Sequence, residues 1–232
     1  MPASTPQTDP TGQHLTPGES YLRPADGQWE ATIEVRRSTF IAIARRVTSE
    51  QEARALVEEV RKAYPDARHH CSAFILHTPG AQPVARSSDD GEPAGTAGQP
   101  MLDMLRGLQD VAVVVVRYFG GVLLGTGGLV RAYSDAAREV LRLVDVVRRQ
   151  PERLFHFRLD HAEAGRVEAE LRSAGEAGVR VVDVEYGRDV KFTVAGPGVP
   201  ELVARLSGGR VSADAAGMAW VEVPVSRGAL NS

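Results

Sequence analysis

VAVVVVRYFGGVLLGTGGLVRAYSDAAREVLRL, residues Val111 to Leu143, contains three successive textures. Val111 to Val116 is an unbroken apolar run, nearly all β-branched, which suits a strand buried on both faces. Arg117, Tyr118 and Phe119 then lead into a loop holding Gly120, Gly121, Gly125, Gly127 and Gly128. Glycine permits positive φ and lets a backbone come close to a neighbour. From about Gly128 a helix is expected, because Leu129, Val130, Tyr133, Ala136, Ala137, Val140 and Leu141 recur at helical spacing. Its other face carries Arg131, Asp135, Arg138 and Arg142. A strand, a glycine loop and a helix start present free N–H groups, the elements of an anion site. The bland alternative is a tight turn that packs the helix on the strand.

Standard nucleotide motifs do not fit this stretch. No Lys-Ser/Thr pair follows Gly125 or Gly128, as a P-loop needs. Gly125-Thr126-Gly127 opens a dinucleotide pattern whose sixth position is Val130 instead of Gly. No cofactor is implied.

Around this centre the apolar periods divide the chain in two. Before it, Trp29 to Val35 and Ser38 to Val47 read as a hairpin turning at Arg36-Arg37. Ser49 and Glu52 form a capping box for a helix whose stripe is Ala53, Leu56, Val57, Val60 and Tyr64. Ala67 to Leu76 reads as a strand, Thr78 to Gly98 as a long loop, and Pro100 as the start of a short helix. After it, Leu154 to Val225 repeats strand, helix, hairpin, helix and strand, the βαββαβ order of a ferredoxin-like fold. The expected organisation is a disordered proline-rich segment at residues 1–27, a first domain at 28–147 and a linker at 148–153. A second domain at 154–226 and a tail at 227–232 complete it.

The motifs carry a family resemblance as well. RYFGGVLLGTGGLVRAYSDAA, Arg68-His69-His70-Cys71 and SDDGEPAGTAGQP at 88–100 resemble the IMPACT family, in its bacterial branch, over about Tyr21 to Val225. The resemblance implies an α+β fold of two domains. The first would have a ribosomal protein S-five domain 2-like fold, and the second would resemble the last, ferredoxin-like domain of elongation factor G. It also implies a link to translational control, known for the family's eukaryotic members.

The net charge of −3 excludes a strongly basic nucleic-acid binder overall. Residues 28–149, with 16 basic and 15 acidic side chains, can still hold a local basic patch. Cys71 is the single cysteine, so no intrachain disulfide forms, in keeping with a reducing cytoplasm. No apolar run reaches the ~18 residues of a membrane span, so no membrane partner is expected.

Two readings of function follow. In the first, the chain binds RNA or the ribosome through Arg117, Tyr118, Phe119, the five glycines, Arg131, Arg138 and Arg142. In the second, an enzyme acts on a small anionic ligand at the glycine junction. His69, Cys71, Ser88, Asp89, Asp90 and Glu92 would line that site, though no catalytic set is visible among them. A protein-interaction module is the third alternative. No metal is expected, since His69 and Cys71 share a strand face but two ligands are too few. The acids at 89–92 would instead pair with Arg117 or Arg131.

Overall fold

The computed structural model describes residues 7–8, 14–15 and 19–225. Two compact units emerge. One comprises residues 21–149 and 223–225, the other residues 150–222 with the described residues of 1–20. The fold is therefore a two-domain α+β arrangement.

The chain opens with the two-residue strands β1 (Gln7–Thr8) and β2 (His14–Leu15), which pair antiparallel, followed by β3 (Tyr21–Pro24). Residues 1–6, 9–13 and 16–18 of the expected disordered segment, like the expected tail, lie outside the described residues. Tyr21–Pro24 itself is ordered strand, antiparallel to residues 146–149. Its anchor lies far along the chain. Tyr21 Oη donates to Asp110 Oδ2 at 2.8 Å, and Arg23 Nη1 does so at 3.0 Å. The Tyr21 ring stacks on His77 at 4.0 Å. Proline content and the missing apolar period hid a strand held by side chains distant in sequence.

In the first unit a five-stranded antiparallel sheet runs β4 (Gln28–Val35), β5 (Ser38–Arg46), β8 (Val111–Tyr118), β6 (His69–Leu76) and β7 (Val84–Ser88). Strand β7 lies inside the segment read as loop. The β4–β5 turn places Arg36 at φ 48° and Arg37 at φ 68°, the double left-handed geometry of a tight hairpin.

β8 is the middle strand, buried along residues 111–117. Val111, Val113 and Val115 pack with Phe40, Cys71 and helices α2 (Gly98–Met104) and α3 (Thr126–Leu143). Ala112, Val114 and Val116 pack on the opposite face with α1 (Glu50–Ala63). Strand parity thus explains the unbroken apolar run: both faces are covered.

The capping box of α1 is reciprocal in a shifted form. Ser49 Oγ accepts from Glu52 N, while the Glu52 carboxylate accepts from Thr48 N instead of Ser49 N. Helix α3 starts at Thr126, two residues before the expected position.

The second unit is built on β9 (Val146–Leu159), α4 (His161–Ser173), β10 (Arg180–Tyr186), β11 (Val190–Ala195), α5 (Val199–Leu206) and β12 (Asp214–Pro224). Its sheet order, β10-β11-β9-β12, is the ferredoxin-like order, with its own core around Phe157, Leu171, Phe192 and Val203. Residues 148–153, expected as a linker, are part of the continuous strand β9. The unit boundary at 149/150 falls within that strand. Among the described residues no helix is long and apolar enough to cross a membrane.

Candidate nucleic-acid interface

The glycines beyond β8 differ in what they do. A Cβ on Gly120 would stand 2.0 Å from the carbonyl of Arg37, so this residue must be glycine for the loop to lie on the β4–β5 turn. Gly120 N donates to Ser38 Oγ at 3.2 Å, fastening the contact. Gly121 and Gly125 have φ of 82° and 73°, and Gly125 caps α3. A Cβ on Gly128 would sit 3.0 Å from Leu124 Cβ, a tight fit. Gly127 alone has no internal reason. It is exposed in the first turn of α3, and apart from its chain neighbours and the helix's own backbone nothing lies within 4 Å of its would-be Cβ.

The loop's tip is apolar and open. Phe119 is 56% exposed and Leu123 81% exposed, with Val122 also exposed, whereas Tyr118 is half-buried.

The arginines expected to bind phosphate separate into three kinds. Arg117 is the buried one. Its position in β8 turns it toward α3, where it is buried and donates to Glu92 Oε1 at 2.7 Å. Its guanidinium lies over the rings of Phe40 and Phe119, at 5.6 and 5.7 Å. A charge so placed is answered within the protein by Glu92. Arg138 and Arg142 are exposed on α3 but paired at i,i+3 with Asp135 and Glu139. Arg131 is exposed in the second turn of α3 and forms no ion pair or side-chain hydrogen bond with another described residue. The acids at 89–92 therefore meet Arg117 and leave Arg131 alone.

Three arginines that sequence reading passed over share the free state of Arg131. Arg36 and Arg37 are exposed at the turn on which Gly120 rests, and Arg68 is exposed just before β6. The sheet register gathers them. Thr39 pairs with Tyr118 and His69 with Arg117, which puts both segments beside the glycine loop. The acids Glu34 and Asp66 are interspersed among them. The available signal was the Arg36-Arg37 pair in a hairpin turn, but only strand order connects that turn to the loop.

The acidic segment is a fixed structural loop. Asp89 accepts from the backbone N–H groups of Gly95, Ala97 and Gly98 at 2.8, 3.0 and 2.8 Å, capping α2 from outside. Burial pushes its carboxyl up, and those three N–H groups outweigh it, holding the group below the usual carboxylate range. Asp90 accepts from His70 N at 2.7 Å and Arg61 Nη2 at 2.6 Å, and its N–H donates to Ser88 Oγ at 3.3 Å. Asp90 O lies 3.0 Å from His69 Nδ1. Glu92 accepts from Tyr133 Oη at 2.8 Å besides Arg117.

Cys71 is fully buried, with its one S–H directed at Asp89 O (3.0 Å) or Tyr133 Oη (3.4 Å). Burial pushes its thiol up to about 12, and the charges of Glu92, Asp90 and Asp89 add to the effect. A buried, protonated thiol is no nucleophile. Ser88, Asp89, Asp90 and Glu92, read as lining an enzymatic site, are occupied in holding the loop, α2 and Arg117. Among the described residues no three His, Cys, Asp or Glu side chains gather as a metal site requires.

Beside the loop opens a cleft of about 700 Å³ lined by Asp66, Arg68, His69, Arg117, Tyr118, Phe119 and Leu123.

Comparison with known proteins agrees with this architecture. The Impact N-terminal domain matches residues 36–141, and the Domain of unknown function (DUF1949) matches residues 157–206. The IMPACT family member YigZ of Escherichia coli is 38% identical over 193 residues, covering 82% of this chain and 93% of its own. The IMPACT family member YvyE of Bacillus subtilis is 39% identical over 165 residues, 70% of this chain and 74% of its own. A crystal structure described as that of a hypothetical protein is 37% identical, with a TM-score of 0.54 over 85% of this chain and 98% of that one. With the glycine-loop sequence, the two domains and these relatives in agreement, the chain belongs to the IMPACT family.

Proposed function

We propose that this protein is a translation-associated regulatory protein that binds RNA, free or in the ribosome, through the glycine-loop end of its first unit. One observation carries the reading: Arg36, Arg37, Arg68 and Arg131 are exposed and held in no ion pair with another described residue, at the end of the unit where the loop presents Phe119. Free arginines suit phosphates, and an exposed aromatic ring suits bases. Membership of the IMPACT family, whose eukaryotic members are linked to translational control, supports the cellular role. Gly127, without an internal reason, fits close approach of a backbone phosphate at the start of α3. Arg138 and Arg142 contribute less, because Asp135 and Glu139 must first release them. The reducing cytoplasm is the proposed place of action, in keeping with one buried free cysteine.

The test is RNA affinity across a salt series for single-stranded RNA and ribosomal RNA. Removing one arginine–phosphate pairing on a single strand lowers the salt slope by roughly 0.7. The Arg36→Glu, Arg37→Glu double variant is expected to weaken binding and flatten the slope by about 1.4. The Arg138→Ala, Arg142→Ala variant should change it far less. A wild type without salt-dependent binding, or an unchanged slope in the first variant, overturns the reading. Leu123, 81% exposed, favours a second reading in which a protein partner seats on the apolar tip. In that case Leu123→Asp abolishes ribosome association while RNA affinity stays as in wild type.

A further inference from the structure

We propose that the cleft beside the glycine loop seats one unpaired base of a single-stranded RNA, stacked on Phe119, with Arg68 meeting the adjoining phosphodiester. The inference rests on the RNA reading above and narrows it to single strands. At about 700 Å³ the cleft lies within the range of small-ligand sites, roughly 300–1,000 Å³. Its wall combines the apolar surfaces of Tyr118, Phe119 and Leu123 with the polar side chains of Asp66, Arg68, His69 and Arg117.

The Phe119 ring is 56% exposed, so surface remains free for a base, while the Arg117 guanidinium lies 5.7 Å from its centroid. Arg117 is buried, and Glu92 holds it through Nη1. Its Nε, by contrast, has no hydrogen-bond partner. The His69 ring is fixed against Asp90 O at 3.0 Å, which keeps the floor in place.

Charge decides what enters. Glu92 cancels Arg117 in their ion pair, and Asp66 opposes Arg68 among the lining residues. A nearly neutral cleft does not attract a phosphate dianion strongly, but it suits a flat uncharged base whose phosphodiester bears one charge. In a duplex the bases are stacked on one another and unavailable, so recognition is confined to unpaired strands.

The experiment measures affinity of the full chain for a single-stranded RNA and for the same strand in a duplex, each across a salt series. Base stacking on an aromatic ring is worth a factor of about 10 to 100. Phe119→Ala should weaken single-strand binding by that factor at every salt concentration, with the salt slope unchanged. Phe119→Tyr should keep wild-type affinity, and duplex binding should not respond to either variant. Phe119 is exposed, so both variants fold, which an unchanged urea midpoint verifies. If single-strand binding is salt-dependent in wild type but indifferent to Phe119→Ala, or if the duplex loses as much as the strand, the cleft assignment is overturned and the RNA reading stands. If wild type binds no RNA, that reading falls and the cleft assignment falls with it.

Discussion

Arg117 and Glu92 meet at 2.7 Å with side chains 8% and 3% exposed, a buried ion pair at the end of the central strand. Both charges have left water, and each is stabilised chiefly by the other. Breaking such a pair from one side is expensive because the remaining charge is stranded. Glu92→Gln is therefore expected to lower stability by roughly 3–5 kcal/mol. The Arg117→Met, Glu92→Leu double variant should recover much of that loss. Urea denaturation of the three proteins tests this, and a single-variant loss below about 1 kcal/mol would mean that water reaches the pair.

Asp89 links the acidic segment to α2 by three backbone bonds. Replacing the carboxylate by an amide weakens charge-assisted bonds and forces an N–H toward other donors. Asp89→Asn should cost roughly 1–3 kcal/mol. The sign with pH follows from its lowered carboxyl. A group depressed below its ordinary 3.8 contributes stability above that value and loses it as pH falls through the lower folded value. Wild type should thus lose stability below about pH 4, and Asp89→Asn should show a shallower acid limb in thermal melts. Parallel limbs would show that Asp89 is not coupled to folding.

Cys71 acts at the other end of the pH scale. Its thiol is raised from 9.0 to about 12, so the folded state prefers the protonated form. That preference is fully present below pH 9 and is lost as pH rises through the folded value. Burial also raises the hydroxyls of Tyr21 and Tyr133, which act in the same direction. Denaturation midpoints should fall above about pH 9, less steeply in Cys71→Ala. A thiol reagent should label native Cys71 slowly at pH 8 and rapidly in denaturant. Fast native labelling would contradict its burial.

Much of the fold was legible because it is local. The apolar run Val111 to Val116 identified the central strand, and the periods after Leu154 identified the ferredoxin-like order. Tyr21–Pro24 was illegible because its support, Asp110 and His77, lies 89 and 56 positions away from Tyr21. The candidate site divides in the same way. Phe119 and the glycines sit together in sequence and remain together in space. Arg117 was expected either to meet phosphate or to pair with the acids at 89–92, and only its strand face, which charge alone does not reveal, places it against Glu92. Arg36, Arg37 and Arg68 join the loop through the β5-β8-β6 strand order, which no single segment encodes.

Gly120 lies directly on the Arg37 backbone, and its N–H is tied to Ser38. The hairpin turn and the glycine loop are consequently one object. The cations of Arg36 and Arg37 and the ring of Phe119 come from segments 82 residues apart by that bond, yet need not be brought together when a ligand arrives. Folding has already met the entropy of assembling them, so the surface is preorganised and contact energy is not consumed in ordering it. Any side chain at position 120 would separate turn from loop, and the proposed RNA affinity would then fall without a single proposed contact group having been removed.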